Sequence, residues 1–152
     1  MQAHGKCTTK IKVNLPDGML DKKLAHQIGA DALVTMRMRV KKGLNVQDQQ
    51  MPKYAPMTKA MRKRKGRQTA VRDLTFTGRM LGALHVEVRE LGMGRWQILI
   101  RLADGRARLL GGKNQAVSPW FGFSRDDQRK IRVALEGLLQ EAMQSKIDGK
   151  ET

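Results

Sequence analysis

The chain has little of several things, and each shortage excludes something. It has one cysteine, Cys7, so no internal disulfide framework can form, and a lone thiol fits a reducing compartment. Aromatic residues make up 4% of the sequence. No apolar run approaches the ~18 residues that a membrane-crossing helix needs. The first residues lack the apolar core of a signal peptide, so the expectation is a protein made in the cytoplasm, with no membrane partner. Acids are also scarce: 14 Asp and Glu stand against 30 Lys and Arg, a formal net charge of +16. At 152 residues the sequence reads as a single domain, 1–152, with room for one modest core.

The catalytic patterns are missing as well. Gly111-Gly112-Lys113 has neither the earlier glycine nor the following Ser or Thr of a phosphate-binding loop. His4, His26 and His85 are spaced for no metal site. The adjacent acids Asp126 and Asp127 are explained by helix capping. The sequence therefore predicts no enzyme, no cofactor and no metal.

What is present is charge in one place. From Arg37 to Arg72 there are twelve basic residues and one acid, Asp48, which gives +11 of the total. The densest part, Lys59, Arg62, Lys63, Arg64, Lys65 and Arg67, is the candidate contact with nucleic acid or another anionic partner. Cations of this kind neutralise phosphates and supply affinity without sequence choice. Aromatic stacking platforms are absent from Ala55 to Thr75, which weakens a single-strand reading. A solvated basic loop and a phosphate-contacting one both remain open.

Patterning gives an α+β expectation: a small antiparallel sheet with a β-hairpin, packed by two long helices, plus a long basic loop. Lys10 to Leu15 alternates as a short strand before the turn Pro16-Asp17-Gly18. Leu20, Leu24, Ile28, Ala32, Met36 and Val40 fall four apart on the first long helix, with Asp17 as its N-cap and Gly43 at its end. Residues 44–72 read as an extended, exposed basic connection, with Thr58 to Lys65 a short helix stopped by Gly66. A second short helix follows from Gly78 to Leu84, capped by Thr75 or Thr77. His85–Leu91 and Arg95–Leu102 alternate around a glycine-containing loop and make the hairpin, with Val86, Val88 and Leu91 inward on its first strand. Arg106 to Leu110 reads as a further strand and Gly111 to Gln115 as a loop. Ser124 and Asp127 form a capping box for the last helix, whose stripe is Ile131, Ala134, Leu135, Leu138, Leu139 and Ala142. Residues 1–9 and 145–152 read as a flexible arm and tail. The aromatic group Trp120, Phe121 and Phe123 either anchors the last helix to the sheet or anchors a subunit interface.

Three segments, in order, carry a resemblance. Gln49-Gln50-Met51-Pro52-Lys53-Tyr54-Ala55-Pro56 followed by Lys63-Arg64-Lys65-Gly66 resembles a proline-containing linker, with Met51 where the family has Trp. Asp73-Leu74-Thr75-Phe76-Thr77-Gly78-Arg79-Met80-Leu81 resembles its Thr-Gly-Arg step. Ser118-Pro119-Trp120-Phe121-Gly122-Phe123-Ser124 resembles the approach to its last helix, with Ser118 where Arg is common. The pattern, over about residues 44–140, is similar to the tail-completion or virion-morphogenesis proteins of tailed bacteriophages, which belong to the head–tail joining region. The resemblance implies a structural virion protein in the neck or tail. It would be a homo-oligomer, a hexameric ring around the DNA passage, that meets neighbouring neck and tail proteins, its basic loop either touching phage DNA without reading bases or docking on an acidic neighbouring ring. The alternative from a different class is a nonspecific nucleic-acid-binding protein acting through the basic loop.

Overall fold

The computed structural model describes residues 8–14, 21–75 and 78–149. The architecture is mixed α+β: a three-stranded antiparallel sheet with helices packed against it. Strand β1 is Thr8–Asn14, β2 is Leu84–Gly92 and β3 is Arg95–Leu102, in the spatial order β1-β3-β2. The hairpin expected from alternation is β2 and β3. Its turn residues Met93 (φ 53°) and Gly94 (φ 67°) both have positive φ, as a tight type I′ turn requires. The alternating face Trp96, Ile98, Ile100 and Leu102 is buried. Leu91, expected inward, is exposed, and the register shifts between Glu90 and Gly92. Leu91 is out of step with the inward Val86 and Val88, so alternation itself places it on the outer face, beside the bulge.

Helix α1, Lys22–Lys41, lies on the sheet with Ala25, Ile28, Ala32, Met36 and Val40 buried. Its N-cap is Asp21, which accepts a 2.7 Å hydrogen bond from the Leu24 amide. The helix was expected from Leu20 with Asp17 as cap, and both lie outside the described residues. Close approach to the sheet depends on Gly29: a Cβ there would overlap the side chains of Val86 and Ile98. Gly29→Ala is therefore expected to destabilise by about 1–3 kcal/mol, despite the helix preference of alanine. The shift of a chemical denaturation midpoint measures it. At the other end of α1, Gly43 has φ 76°, and a Cβ there would press 2.9 Å from Val71.

The connection from 44 to 72 is only partly extended. Leu44 bridges to Gln50, and Asn45 and Met51 are buried, so its first part is a compact loop on the core. The Asn45 side chain organises it by accepting from the amides of Gln47 and Gln49 at 2.9 and 3.0 Å. Helix α2, Pro56–Arg64, follows, with proline in its first turn. Helix α3, Arg79–Gly82, starts after Gly78 (φ 72°) with no side-chain cap. It ends before Leu84, which is buried but opens β2. Thr77 lies outside the described residues.

The strand and loop expected over 106–115 are instead one helix, α4, Gly105–Val117. Asp104 starts it by accepting from the Arg106 amide at 2.9 Å. The two glycines tolerate the helix because Gly111 sits buried against Trp120, whose Nε1 donates to the Gly111 carbonyl at 3.0 Å. Helix α5, Arg125–Asp148, has the full expected capping box between Ser124 and Asp127. It continues four residues into the segment 145–152 expected as a tail, and the arm expected over 1–9 is described only from Thr8. Its apolar stripe is half-buried throughout, with Leu135 and Leu138 against the α1 side of the sheet.

Candidate functional site

The basic segment divides into cations that build the fold and cations that face outward. Arg39 is 5% exposed. Its Nε donates to Asp127 Oδ2 at 2.6 Å, Nη1 to the Leu44 carbonyl, and Nη2 to the carbonyls of Trp120 and Gly122. Arg37 donates to the carbonyls of Leu81 and Leu84. Arg72 donates to those of Pro52 and Lys53. A run that looks like one cationic patch is thus partly internal scaffolding.

Arg62 requires a correction. It was a candidate contact residue, yet it is fully buried. On α2 it is the residue turned toward the body, and its Nη2 meets Asp73 Oδ1 at 3.0 Å while Nε donates to the Gln68 carbonyl at 2.8 Å. Its guanidinium lies 4.5 Å from the centre of the Tyr54 ring, and that of Arg72 lies 5.2 Å from the same ring. Tyr54 Oη donates to Asp73 Oδ1 and accepts from the Leu74 amide, both at 3.1 Å. Leu74 holds φ 54°, a costly conformation for a branched residue, which places Asp73 and Leu74 at a fixed corner. The sequence signal for this node was Tyr54, the one aromatic beside the basic run.

Burial alone would push the Asp73 carboxyl up, but hydrogen bonds from Thr75, Gln68 and Tyr54 outweigh it and hold it below the usual aspartate range. Burial first, and the neighbouring Asp73 charge second, push the Tyr54 phenol up. A lowered carboxyl stabilises the fold fully above the unfolded aspartate pKa, and that contribution is lost as pH falls through the folded value. Amide exchange protection in α2 is expected to fall across that acid window, and Asp73→Asn is expected to remove this pH dependence.

Among the described residues no other helix or strand packs extensively on α2, so this node is what ties it to the body. The other candidate residues, Lys59, Lys63, Arg64, Lys65 and Arg67, are exposed as expected. Lys59, Lys63 and Arg67 also line a cleft of about 650 Å³ between α2 and the 66–69 loop, whose lining includes no acid. Beside these cations stand two residues the charge pattern concealed: Met57 is 78% and Met61 47% exposed.

The aromatic cluster resolves differently. Trp120 is fully buried, with its ring edge-on to Phe121 at 5.2 Å and 86°. It was a candidate interface anchor, but the chain's own core encloses it. Phe121 and Phe123 are half-buried and pack on the same core. Among the described residues no group of His, Cys, Asp and Glu side chains is placed to hold a metal ion, and no helix is long and apolar enough to cross a membrane. No protein-family model, no curated protein and no solved structure matches the chain.

Proposed function

We propose that this protein is a structural subunit of a tailed-phage virion, which assembles as a ring in the neck or tail-completion region around the DNA passage. The observation that carries the reading is helix α2. A nine-residue helix is too short to be stable alone. Here a buried ion pair, a tyrosine ring and a strained corner tie it to the body. Such bracing serves a contact outside the subunit. The open outer edges of β1 and β2 add two surfaces through which copies can meet, and Glu87, Arg89 and Glu90 on β2 restrict the choice of partner by charge.

The net charge supports an anionic environment. Six copies at +16 carry about +96, and that self-repulsion calls for anions close by, such as DNA in a central passage. The same +16 favours the second reading, a nonspecific nucleic-acid-binding protein.

The native mass of the nuclease-treated protein at near-physiological salt tests the proposal. The expected result is a discrete closed assembly of roughly six copies. A monomer that shifts DNA with a steep salt dependence, lost on neutralising Lys59, Lys63, Arg64 and Arg67, would replace it with the second reading.

A further inference from the structure

We infer that α2 docks on the second half of α5 of a neighbouring copy, so that the cations of α2 meet protein carboxylates there and not phosphates. The inference rests on the ring reading and names its contact. It starts from the outward face of α2. Arg62 fixes which side of the helix faces the body; the opposite side presents Met57, Ala60 and Arg64, with Met61 on the flank beside Met57. A helix made only for phosphate contact has no use for two exposed methionines. Methionine instead suits a protein surface, because its unbranched side chain adapts to a partner's relief.

The second half of α5 is the matching surface. It is the long helix with the least burial, since of its residues Asp127 alone is fully enclosed. Its outward face shows Val133 at 64%, Met143 at 50% and Ile147 at 55% exposure. From residue 136 onward this helix carries Glu136, Glu141 and Asp148 against Lys146. Helix α2 exposes Lys59, Lys63 and Arg64 and carries no acid, its fourth base, Arg62, being buried and paired with Asp73. The charges are therefore opposite, and both faces have an apolar pair at the same spacing.

Met57 and Met61 lie four residues apart, as do Met143 and Ile147, so each pair is separated by about 6 Å along its helix. An antiparallel arrangement sets Met57 beside Ile147 and Met61 beside Met143. It then brings Arg64, one turn beyond Met61, to the stretch of α5 that carries Glu136, which lies two turns before Met143 on the same side of that helix. A parallel arrangement would carry Arg64 past the end of α5 and away from Glu136. Because α2 and α5 are different surfaces of one subunit, the contact is head-to-tail, the type that closes into rings.

Charge reversal in the full-length protein tests it. Arg64→Glu and Glu136→Lys are each expected to raise the concentration for half-assembly at least about tenfold. Both changes in one chain are expected to restore it to within about threefold of the original. All these sites are exposed, and far-ultraviolet circular dichroism checks that each variant folds. Met57→Ser with Met61→Ser is expected to weaken assembly without changing any DNA gel shift.

Assembly unchanged by either reversal overturns this contact but leaves a ring built through other surfaces. A wild-type chain that never assembles overturns both the contact and the ring. Loss of a DNA shift in the α2 reversal, with assembly intact, overturns the contact and assigns α2 to phosphate.

Discussion

Asp127→Ala is expected to destabilise the protein by about 3–5 kcal/mol, the largest effect of any single charged residue here. The carboxylate does two jobs in one enclosed place. Its Oδ2 accepts from Arg39 at 2.6 Å and from the Ser124 amide at 3.1 Å, so it closes the buried ion pair and completes the start of α5. Removing it leaves a buried guanidinium with carbonyl acceptors but no counter-charge. The neighbouring acid supplies the control. Asp126 pairs only with Arg129 and Lys130 at the surface, so Asp126→Ala is expected to leave the denaturation midpoint nearly unchanged. Replacing both buried partners, Arg39→Met with Asp127→Leu, should recover much of the loss, since no lone charge is left behind. Equal midpoints for the two single alanine variants would show that the carbonyls of Leu44, Trp120 and Gly122 suffice for Arg39.

Trp120→Ala is expected to destabilise by about 3–5 kcal/mol while leaving the native mass unchanged below the melting transition. The ring fills the space between α4 and the approach to α5, stacks edge-on with Phe121, and holds the Gly111 carbonyl through Nε1. Alanine leaves a cavity of nearly indole size and an unmet acceptor inside α4. Thermal denaturation and native mass on the same sample separate the possibilities. A lowered midpoint with an unchanged mass fits a core residue. An unchanged midpoint with lost assembly would instead make Trp120 a surface anchor and contradict its burial.

These two residues mark where the sequence is readable and where it is not. Periodicity and capping are local, so the hairpin, α1 and the box at Ser124 could be read directly from spacing. Helix α4 could not. Gly111-Gly112 is a loop signal by local rules, and the Trp120 contact that favours helix there is tertiary. Charge was misread for a similar reason. Arg39, Arg62 and Lys63 look alike in the sequence, yet two are buried braces and one faces solvent. What separates them is the distant carboxylate, Asp127 or Asp73, and no spacing rule reveals that pairing. Asp126 and Asp127 show the converse, since capping explained both acids while hiding that one of them neutralises Arg39. Within the candidate site, the exposed cations were legible, whereas Tyr54 as their brace and Met57 and Met61 as their companions were not.

The Arg39 node also sets a timetable. Its two charged partners are separated by 88 residues of chain, and β1 must wait for the β3 residues around Arg101 before it can pair. Contacts so far apart are slow to form, and they cannot form at all until the later partner has left the ribosome. The first long helix therefore emerges with its apolar stripe uncovered and its buried arginine still in water. Translation must pass Asp127 before that helix finds its place. Chains caught earlier are open to chaperones or to premature association, and maturation waits on the segment from Trp120 to Asp127.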